Sequence, residues 1–423
     1  MIQISRLSNG LRVVTDTMKE VETVSLGVWC GVGSRFETPE ISGISHLLEH
    51  MAFKGTTRRT PLQIAEEVEN VGGYMNAYTS EEKTAYYVKM LKQDALLGMD
   101  IVADILQNST MNAQELEKEK AVVLQEIGRA YDSPDDIIFD YFGTVAYPEQ
   151  AVGRPVLGSK ETVSAISSEQ LKNYMHQEYT APRLVLSAAG NISHEFVVDM
   201  AEKLFANLRT DGGHDAQKAE YVGGEFFQDR PIEQVNLLFG LNGVGIHHPL
   251  HMSQKILATI LGGGMSSRLF QEIREKRGMV YSIFAYARAF QDTGDFMIYA
   301  GTGKNEAHDL LSVLSDEMIK AQKGFDKEEI ERAKNQLKAQ LLMKLESTSA
   351  RCERNAKQVL DKNKVSSVEE SVAQINAVSN ESLQEILALL LRSKPTLIGV
   401  GPVEKMSGTK QIEEKLSGAV SAR

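Results

Sequence analysis

The segment "HLLEH", residues 46–50, carries side chains that could bind a metal ion and activate water. On an α-helix, which turns about 100° per residue, His46 and His50 lie one turn apart and differ by only about 40°. Their imidazoles can therefore converge on one ion, and Glu49 lies near the same face, where it suits the role of a base. Catalytic zinc takes three protein ligands and keeps one position open, so a third ligand must come from elsewhere. The alternative is an amphipathic helix whose histidine pair binds no metal.

A second charged segment, "ELEKEKAVVLQEIGRAY" (115–131), offers the missing carboxylate. Glu119 and Glu126 are seven residues apart and therefore differ by only about 20° around a helix. Val123 lies between them on the same side, and a glutamate on an apolar, inward stripe is less easily explained as solvated charge. The alternative, a solvated charged helix, describes the first turn of the segment. For Glu126, inside "VVLQEI", we favour the role of metal ligand.

The elements that must position these residues are predicted from the spacing of apolar residues. The runs "LRVVTD" and "TVSLGVWCGVGS" alternate as strands do, and a helix carrying "GISHLLEHM" follows them. A long helix is predicted near residues 112–131, with Asn112 as its N-cap. In the second half, "QVNLLFGLNGV", "VYSIFAYARAF" and "GDFMIYAGTG" are predicted strands with helices around them. The order of strand, helices and strands thus recurs, which suggests one α/β unit used twice.

Chain length and one glycine-rich stretch define the predicted domains. A chain of 423 residues suits two domains, at about 100–200 residues for each. The stretch "TDGGHDAQKAEYVGGE" is polar and aperiodic, as linkers are. We predict an N-terminal zinc-binding catalytic domain at 1–212, a linker at 213–224, and a C-terminal domain of similar fold without the zinc motif at 225–423. Each domain is predicted to be an antiparallel-rich sheet covered by helices, so the fold class is α+β.

Composition narrows the function classes. The net charge of −11 argues against nucleic-acid binding and is compatible with the attraction of basic peptides. The two cysteines form no disulfide framework, which indicates a reducing compartment. No apolar run approaches the length of about 18 residues that a membrane span needs, and the N-terminus lacks the apolar region of a signal peptide. We expect a soluble, cytoplasmic protein that binds neither nucleic acid nor membrane.

Three segments carry a resemblance to a known family: "GVGSRFETPEISGISHLLEHMAFKGT", "GGYMNAYTS" and "EKEKAVVLQEI". They resemble the pitrilysin-type inverzincins, and above all the processing-peptidase branch, which includes the catalytic subunit of the mitochondrial processing peptidase and its bacterial relatives. The resemblance covers essentially the whole chain. It implies that the two domains form half of a clamshell, in a bacterial cytoplasm; a mature chain of the mitochondrial matrix is the less favoured alternative.

The resemblance assigns roles to the residues of the two charged segments. In that family the third zinc ligand is a glutamate about 75 residues beyond the second histidine, which selects Glu126. It implies one Zn²⁺ per chain, held by His46, His50 and Glu126, which would lower the pKa of water from about 15.7 toward 7. Glu49 would take the proton from that water and pass it to the leaving amine. The family's supporting glutamate matches Glu119, which would orient a histidine ligand.

Further residues match substrate contacts of the family. The segment "MNAYT" resembles the family's edge strand, where the backbone of Asn76 and Ala77 would pair with an extended peptide. By pattern alone it is an ordinary strand end. The family uses an arginine and a tyrosine with the spacing of Arg274 and Tyr281 to contact substrate or stabilise an oxyanion. In two-chain members this pair faces the other chain's active site, which implies a homodimer with both residues acting in trans.

Two acidic residues suggest a substrate specificity. Asp136 and Asp140 are one helical turn apart in "DSPDDIIFDYF", and acidic residues at the matching positions of the mitochondrial subunit bind an arginine near the cleavage point. Two such carboxylates suit a guanidinium, although they could equally cap or solvate a helix. The loop "LGGGMSS" around residues 262–264 lacks the pattern of a phosphate loop. It resembles a shortened glycine-rich loop of the non-catalytic subunit, or is a plain turn.

These observations predict a zinc-dependent endopeptidase that hydrolyses peptides or unfolded, presequence-like segments inside a clamshell chamber, with a preference for a basic residue near the scissile bond. The first alternative is a non-catalytic structural or partner subunit of a processing-peptidase-like complex. The complete set of His46, Glu49, His50 and Glu126 argues against it. The second alternative is a structural zinc site, which would normally use four protein ligands and needs no base.

Overall fold

The computed structural model describes residues 1–404, 406 and 408–421, which form two sheets with helices on both faces of each. Lys405, Ser407 and residues 422–423, in the predicted C-terminal domain, lie outside the described residues. The two sheets belong to two units of the chain, and neither unit is continuous in sequence. The first contains residues 1–128, 154–217 and 342–366, and the second contains residues 129–153, 218–341 and 367 onward. The domain boundaries derived from the sequence stay a prediction.

The first unit contains a six-stranded sheet in the order β1-β2-β6-β3-β5-β4. All neighbouring strands are antiparallel except β2 and β6, which are parallel. The strands are β1 (Ile2–Arg6), β2 (Arg12–Thr17), β3 (Thr23–Cys30), β4 (Tyr74–Thr79), β5 (Thr84–Leu91) and β6 (Leu184–Gly190). The helices are α1 (Ile44–Ala52), α2 (Pro61–Glu69), α3 (Ala95–Gln107), α4 (Ala113–Asp132), α6 (Lys160–Ala165), α7 (Ser168–Glu178), α8 (His194–Leu204) and α12 (Thr348–Lys362).

The alternating sequence of β3 explains why helices cover both faces of this sheet. Leu26 and Val28 point into the core shared with α1 and α3, whereas Trp29 points into a second cluster with Val359 of α12. Successive side chains of a strand face opposite sides, so a strand with apolar residues on both sides must be covered twice. The helix that covers the second face comes from the late segment 342–366, far from the rest of the unit in sequence.

The second unit contains a five-stranded sheet in the order β7-β11-β8-β10-β9. Here β7 and β11 are parallel and the other pairs are antiparallel. The strands are β7 (Gly224–Asp229), β8 (Gln234–Gly243), β9 (Val280–Ala289), β10 (Gly294–Gly303) and β11 (Thr396–Gly401). The helices are α5 (Pro134–Ala146), α9 (His251–Gly262), a π-helix (Phe270–Glu275), α10 (Ala307–Ala321), α11 (Lys327–Lys344), α13 (Val368–Asn376), α14 (Asn380–Leu390) and α15 (Thr409–Ser421).

The two sheets share one topology, as the recurring sequence pattern suggested. From the parallel pair onward, each sheet places its strands in the chain order first, fifth, second, fourth, third; β1 is an addition at the edge of the first sheet. In the second sheet, Phe142 of α5 packs with Leu238 and Ile398 on one face, while α9 and α14 cover the other. Two sheets covered by helices confirm the predicted fold class.

Candidate metal centre

Helix α1, which carries His46, Glu49 and His50, is held at its N-terminus by a buried carboxylate. Gly43 precedes the helix with φ 93° and supplies no side-chain cap. Glu37 replaces the cap: its two carboxylate oxygens accept the backbone N–H of Gly43 at 2.7 Å and of Ser45 at 2.8 Å. Burial raises the pKa of Glu37 to about 7. The apolar face of α1 is fully buried, so the helix presents its polar face in one orientation.

The imidazoles of α1 and one carboxylate of α4 converge. His46 Nε2 lies 3.7 Å and His50 Nε2 lies 3.6 Å from Glu126 Oε2. Both distances exceed the usual hydrogen-bond range. Two atoms bound at about 2.0–2.1 Å to one tetrahedral zinc ion lie about 3.3–3.4 Å apart, which is close to the observed separations. The three ligand groups can therefore share one ion, and all their ligand atoms lie within 4.8 Å of one another.

One polar atom at this point supports the same assignment. Among the described residues, no hydrogen-bond partner reaches the buried Oε2 of Glu126. Buried polar groups are almost always paired, and a carboxylate oxygen that faces two imidazole nitrogens would be satisfied by a cation between them. Burial, and to a smaller extent the charge of His50, lower the pKa of His46 to about 4. His46 is therefore neutral near pH 7, the form in which imidazole binds metals. The residues present fit zinc.

A second carboxylate fixes the orientation of His50. Its Nδ1 lies 3.1 Å from Glu119 Oε2, and because an ionised carboxylate can only accept, the Nδ1–H donates. That tautomer leaves the lone pair of Nε2 directed toward Glu126. Lys54 Nζ lies 2.7 Å from Glu119 Oε1, so the other oxygen of this carboxylate is held as well. The structure thus places Glu119 behind His50, and its role in orienting that ligand stays a prediction.

The side chain of Glu49 extends from α1 to the edge strand β4. Its Oε2 accepts a hydrogen bond of 2.7 Å from the hydroxyl of Thr79. Burial raises the pKa of Glu49, and the hydrogen bond from Thr79 opposes that rise. Sequence reasoning did not single out Thr79, although it ends the quoted segment "MNAYT". No local pattern could have shown the contact, because it joins residues 30 positions apart.

Strand β4 is an edge strand with an exposed polar backbone. It pairs with β5 on one side, and no described strand lies on its other side. The N–H of Ala77 donates to the side-chain Oδ1 of Asn76 at 2.8 Å, and Asn76 Nδ2 donates to the hydroxyl of Tyr74. A side chain thus holds a backbone donor that an added peptide strand could use instead. The role predicted for Asn76 and Ala77 stays a prediction.

The remaining predicted site residues lie in the second unit. Arg274 is in the π-helix, with its guanidinium 4.7 Å from the ring centroid of Phe270. Tyr281 is on β9, the edge strand that corresponds to β4, and is 72% exposed. Asp136 is exposed in the first turn of α5, and Asp140 follows one turn later. The segment "LGGGMSS" (261–267) starts with the last two residues of α9, which ends at Gly262. The predicted roles of these residues stay predictions.

Comparisons with known proteins identify the family. Residues 12–160 match the family model described as "Insulinase (Peptidase family M16)", and residues 165–337 match "Peptidase M16 inactive domain". The Bacillus subtilis (strain 168) protein named "Uncharacterized zinc protease YmxG" is 38% identical over 408 residues, which cover 96% of this chain and 100% of that protein. The chain belongs to peptidase family M16. A Rickettsia felis family M16 relative, named "Uncharacterized zinc protease", is 40% identical over 94% of this chain and 97% of its own length.

Solved structures share the M16 fold. A protease from Helicobacter pylori superposes with a TM-score of 0.88 at 21% identity, over 95% of this chain and 99% of that one. A structure from Pseudomonas fluorescens, described as a peptidase M16 inactive domain, gives 0.89 at 19% identity, over 96% and 99%. The names of the M16 relatives support a zinc protease in general terms. Within the described residues, no helix is long and apolar enough to cross a membrane.

Proposed function

We propose that this chain is a zinc-dependent endopeptidase that hydrolyses peptides or unfolded, presequence-like segments. One observation carries the proposal: two imidazoles of α1 converge on a carboxylate oxygen of α4 that has no hydrogen-bond partner among the described residues, next to the edge strand β4. His46, His50 and Glu126 would hold one zinc ion per chain. When bound, zinc polarises a substrate carbonyl and acidifies water. A closed structural site would need a fourth protein ligand. The cluster found among the described residues contains three ligand residues.

The chain's own residues support the proton transfers of peptide hydrolysis. Glu49 is half-buried next to the ligands, and burial raises its pKa, which suits a group that takes a proton and later returns it. Thr79 donates to one oxygen of Glu49 and thereby restrains the carboxylate. Glu119 holds the tautomer of His50 that leaves Nε2 free. The edge of β4 would bind the main chain of an extended substrate and so give affinity without strict sequence choice.

The base is tested by Glu49→Gln, which keeps the shape of the side chain and removes its ability to take a proton. We expect this variant to keep its full zinc content, measured by inductively coupled plasma mass spectrometry, and to lose cleavage of a quenched peptide. Glu69→Gln, at the end of α2, removes an equal charge outside the site and serves as the matched control. Full activity of Glu49→Gln would contradict the assigned base. If metal-replete wild type cleaves no peptide, the non-catalytic alternative is favoured.

We also propose that Asp136 and Asp140 favour a basic residue, arginine above all, near the scissile bond. Both are on α5 one turn apart, and the net charge of −11 suits basic substrates. Asp136→Asn combined with Asp140→Asn should remove the preference for arginine in a proteome-derived peptide library read by mass spectrometry. Asp135→Asn, on the same turn, is the control. An unchanged cleavage profile of the double variant would refute the assignment.

The proposed assembly is a bacterial cytoplasmic homodimer, with a clamshell chamber in which Arg274 and Tyr281 act on the other chain's site. This predicts complementation between two inactive proteins. Mixing Glu49→Gln chains with Tyr281→Phe chains should restore about one quarter of wild-type activity, because half of the randomly formed dimers are mixed and each has one complete site. Action within one chain would restore nothing. Sedimentation of the mixture checks that dimers form and exchange.

A further inference from the structure

A cavity of about 280 Å³ lies in the first unit, on the face of its sheet opposite α1. Strands β3, β5 and β4 form its floor, and the start of α12 forms its roof. Three aromatic residues line the floor: Trp29, Tyr87 and Tyr78. One carboxylate, that of Glu353, lines the roof. The cavity is far larger than the roughly 15 Å³ that one water molecule requires, so it can admit a side chain.

The aromatic rings form three sides of a cage. Trp29 and Tyr87 are stacked with ring centroids 6.1 Å apart, and Tyr87 and Tyr78 are tilted at 6.4 Å. Trp29 Nε1 donates to the hydroxyl of Tyr78 at 3.1 Å, and that hydroxyl donates to Glu353 Oε1 at 3.1 Å. Ring faces with a carboxylate beside them attract cations such as ammonium and guanidinium groups.

The chain already places a cation against this cage. Lys357 Nζ lies 2.6 Å from Glu353 Oε1 and 5.2 Å from the ring centroid of Tyr78. Glu353 and Lys357 are 41% and 42% exposed, so the cage is open to solvent at this end. Among the described residues, no hydrogen bond or ion pair reaches Oε2 of Glu353. The cage can therefore attract a second cation, although Lys357 competes with it.

The position of Tyr78 connects the cage to the edge strand. Side chains alternate between the two faces of a strand, and Thr79 contacts Glu49 on the face of α1. Tyr78, one residue earlier, points to the opposite face, where it meets Trp29 and Glu353. In a peptide added to β4, residues directly opposite share a face, so every second side chain of that peptide would lie on the side of the cage.

We propose that Trp29, Tyr78, Tyr87 and Glu353 form a subsite for a lysine or arginine side chain of the substrate. This inference rests on the proposed peptidase function and on pairing of the substrate with β4. Lys357 is the internal cation that the substrate side chain displaces or joins. The subsite lies on a different element from the carboxylates of α5, and it selects a basic residue by aromatic faces together with one carboxylate. The preference for a basic residue applies only to the substrate residues whose side chains lie on the side of the cage, that is, to every second residue.

The test uses quenched peptides in which lysine replaces norleucine at one position at a time around the scissile bond. The readout is the ratio of kcat/KM for the lysine and norleucine peptides, measured for each zinc-loaded protein. Wild type should favour lysine at one position, or at positions two residues apart. Glu353→Gln should lower that ratio about threefold to fivefold. Lys357→Met should raise it, because the competing cation is gone.

Glu169→Gln, exposed on α7, removes one negative charge elsewhere in the first unit and should leave the ratio unchanged. The opposite signs for Glu353→Gln and Lys357→Met separate recognition from a general disturbance of α12, which would move both ratios together. Equal ratios in all four proteins, or a shift of both α12 variants in one direction, would overturn the subsite. Cleavage of the norleucine peptides by wild type, and its loss in Glu49→Gln, tests the peptidase function separately. Failure to cleave any peptide would remove both proposals.

Discussion

Replacement of Glu119 tests whether the carboxylate behind His50 sets the affinity for zinc. Glu119 receives one hydrogen bond from the Nδ1–H of His50 at 3.1 Å, and its other oxygen lies 2.7 Å from Lys54 Nζ. The first contact fixes the ring and its tautomer, and the second holds the carboxylate in place. We expect Glu119→Gln to weaken zinc binding about tenfold and Glu119→Ala about a hundredfold.

These magnitudes follow from the contacts that are lost. A hydrogen bond to a charged group contributes about 1.5–3 kcal/mol, and about 1.4 kcal/mol corresponds to a factor of ten in Kd. Glutamine keeps an oxygen that can accept from His50 but loses the charge, so its effect belongs at the lower end. Alanine removes the acceptor and also leaves Lys54 without its counter-charge near the cation site, so its effect belongs at the upper end.

The assay is competition for zinc with a chromophoric chelator at fixed pH. Glu117→Gln is the matched control, because Glu117 is on the same helix, 71% exposed, and paired with Lys120. Far-UV circular dichroism of each apo protein checks that α4 is retained. A zinc Kd for Glu119→Ala within twofold of the control would refute the view that Glu119 orients His50 toward the ion.

Three further outcomes are expected. Burial raises the pKa of Glu37 from 4.5 to about 7, so the free energy of unfolding should fall by about 3 kcal/mol as the pH rises from about 4.5 to 7. Urea unfolding should show that Glu37→Gln lacks this fall. The same dependence of unfolding free energy on pH in both proteins would contradict the prediction. Thr79→Val removes the hydroxyl that donates to Glu49 and should lower kcat/KM for a quenched peptide about tenfold, whereas Thr79→Ser keeps the hydroxyl and should keep kcat/KM. Equal kcat/KM values for the two variants would show that this hydrogen bond does not assist Glu49. Gly27→Ala should destabilise the protein by about 1–3 kcal/mol, because its Cβ would lie 2.4 Å from the carbonyl oxygen of Tyr86, whereas Gly128→Ala meets nothing within 4 Å and should not destabilise it.

The core of the candidate site was predictable because its spacing is local. The i,i+4 relation of His46 and His50 and the i,i+7 relation of Glu119 and Glu126 each describe one face of one helix, and periodicity alone reveals such faces. That the two helix faces meet is a tertiary fact, and only the resemblance to a family supplied it in advance. The structure brings these four side chains together.

Other contributions to the site depend on contacts that no sequence pattern encodes. Glu37 caps α1 from a preceding loop, and Thr79 reaches Glu49 from a strand. Both residues lie in segments that were recognised as motifs. Their contacts, however, depend on how the loop, the helix and the strand pack together. The cage around Tyr78 was missed for the same reason, since Glu353 is 275 residues away in sequence.

The fold was predictable as a repeated α/β unit, and its exchange of segments was not. The amphipathic pattern of α12 shows that one face must be buried, but it does not say which sheet receives it. In the structure Cys352, Ala356 and Val359 of α12 pack with Trp29 of the first sheet. Likewise, α5 follows α4 directly in sequence but packs with the second sheet.

This exchange has a consequence for synthesis of the protein. When residue 217 leaves the ribosome, the first sheet still lacks the helix that shields Trp29 and its neighbours, and that helix is complete only at Lys362. At about 5–20 residues per second, the apolar face stays uncovered for roughly 7–30 seconds of translation. A nascent chain with such a face is a natural client for chaperones, and a product truncated after the linker would expose that face permanently.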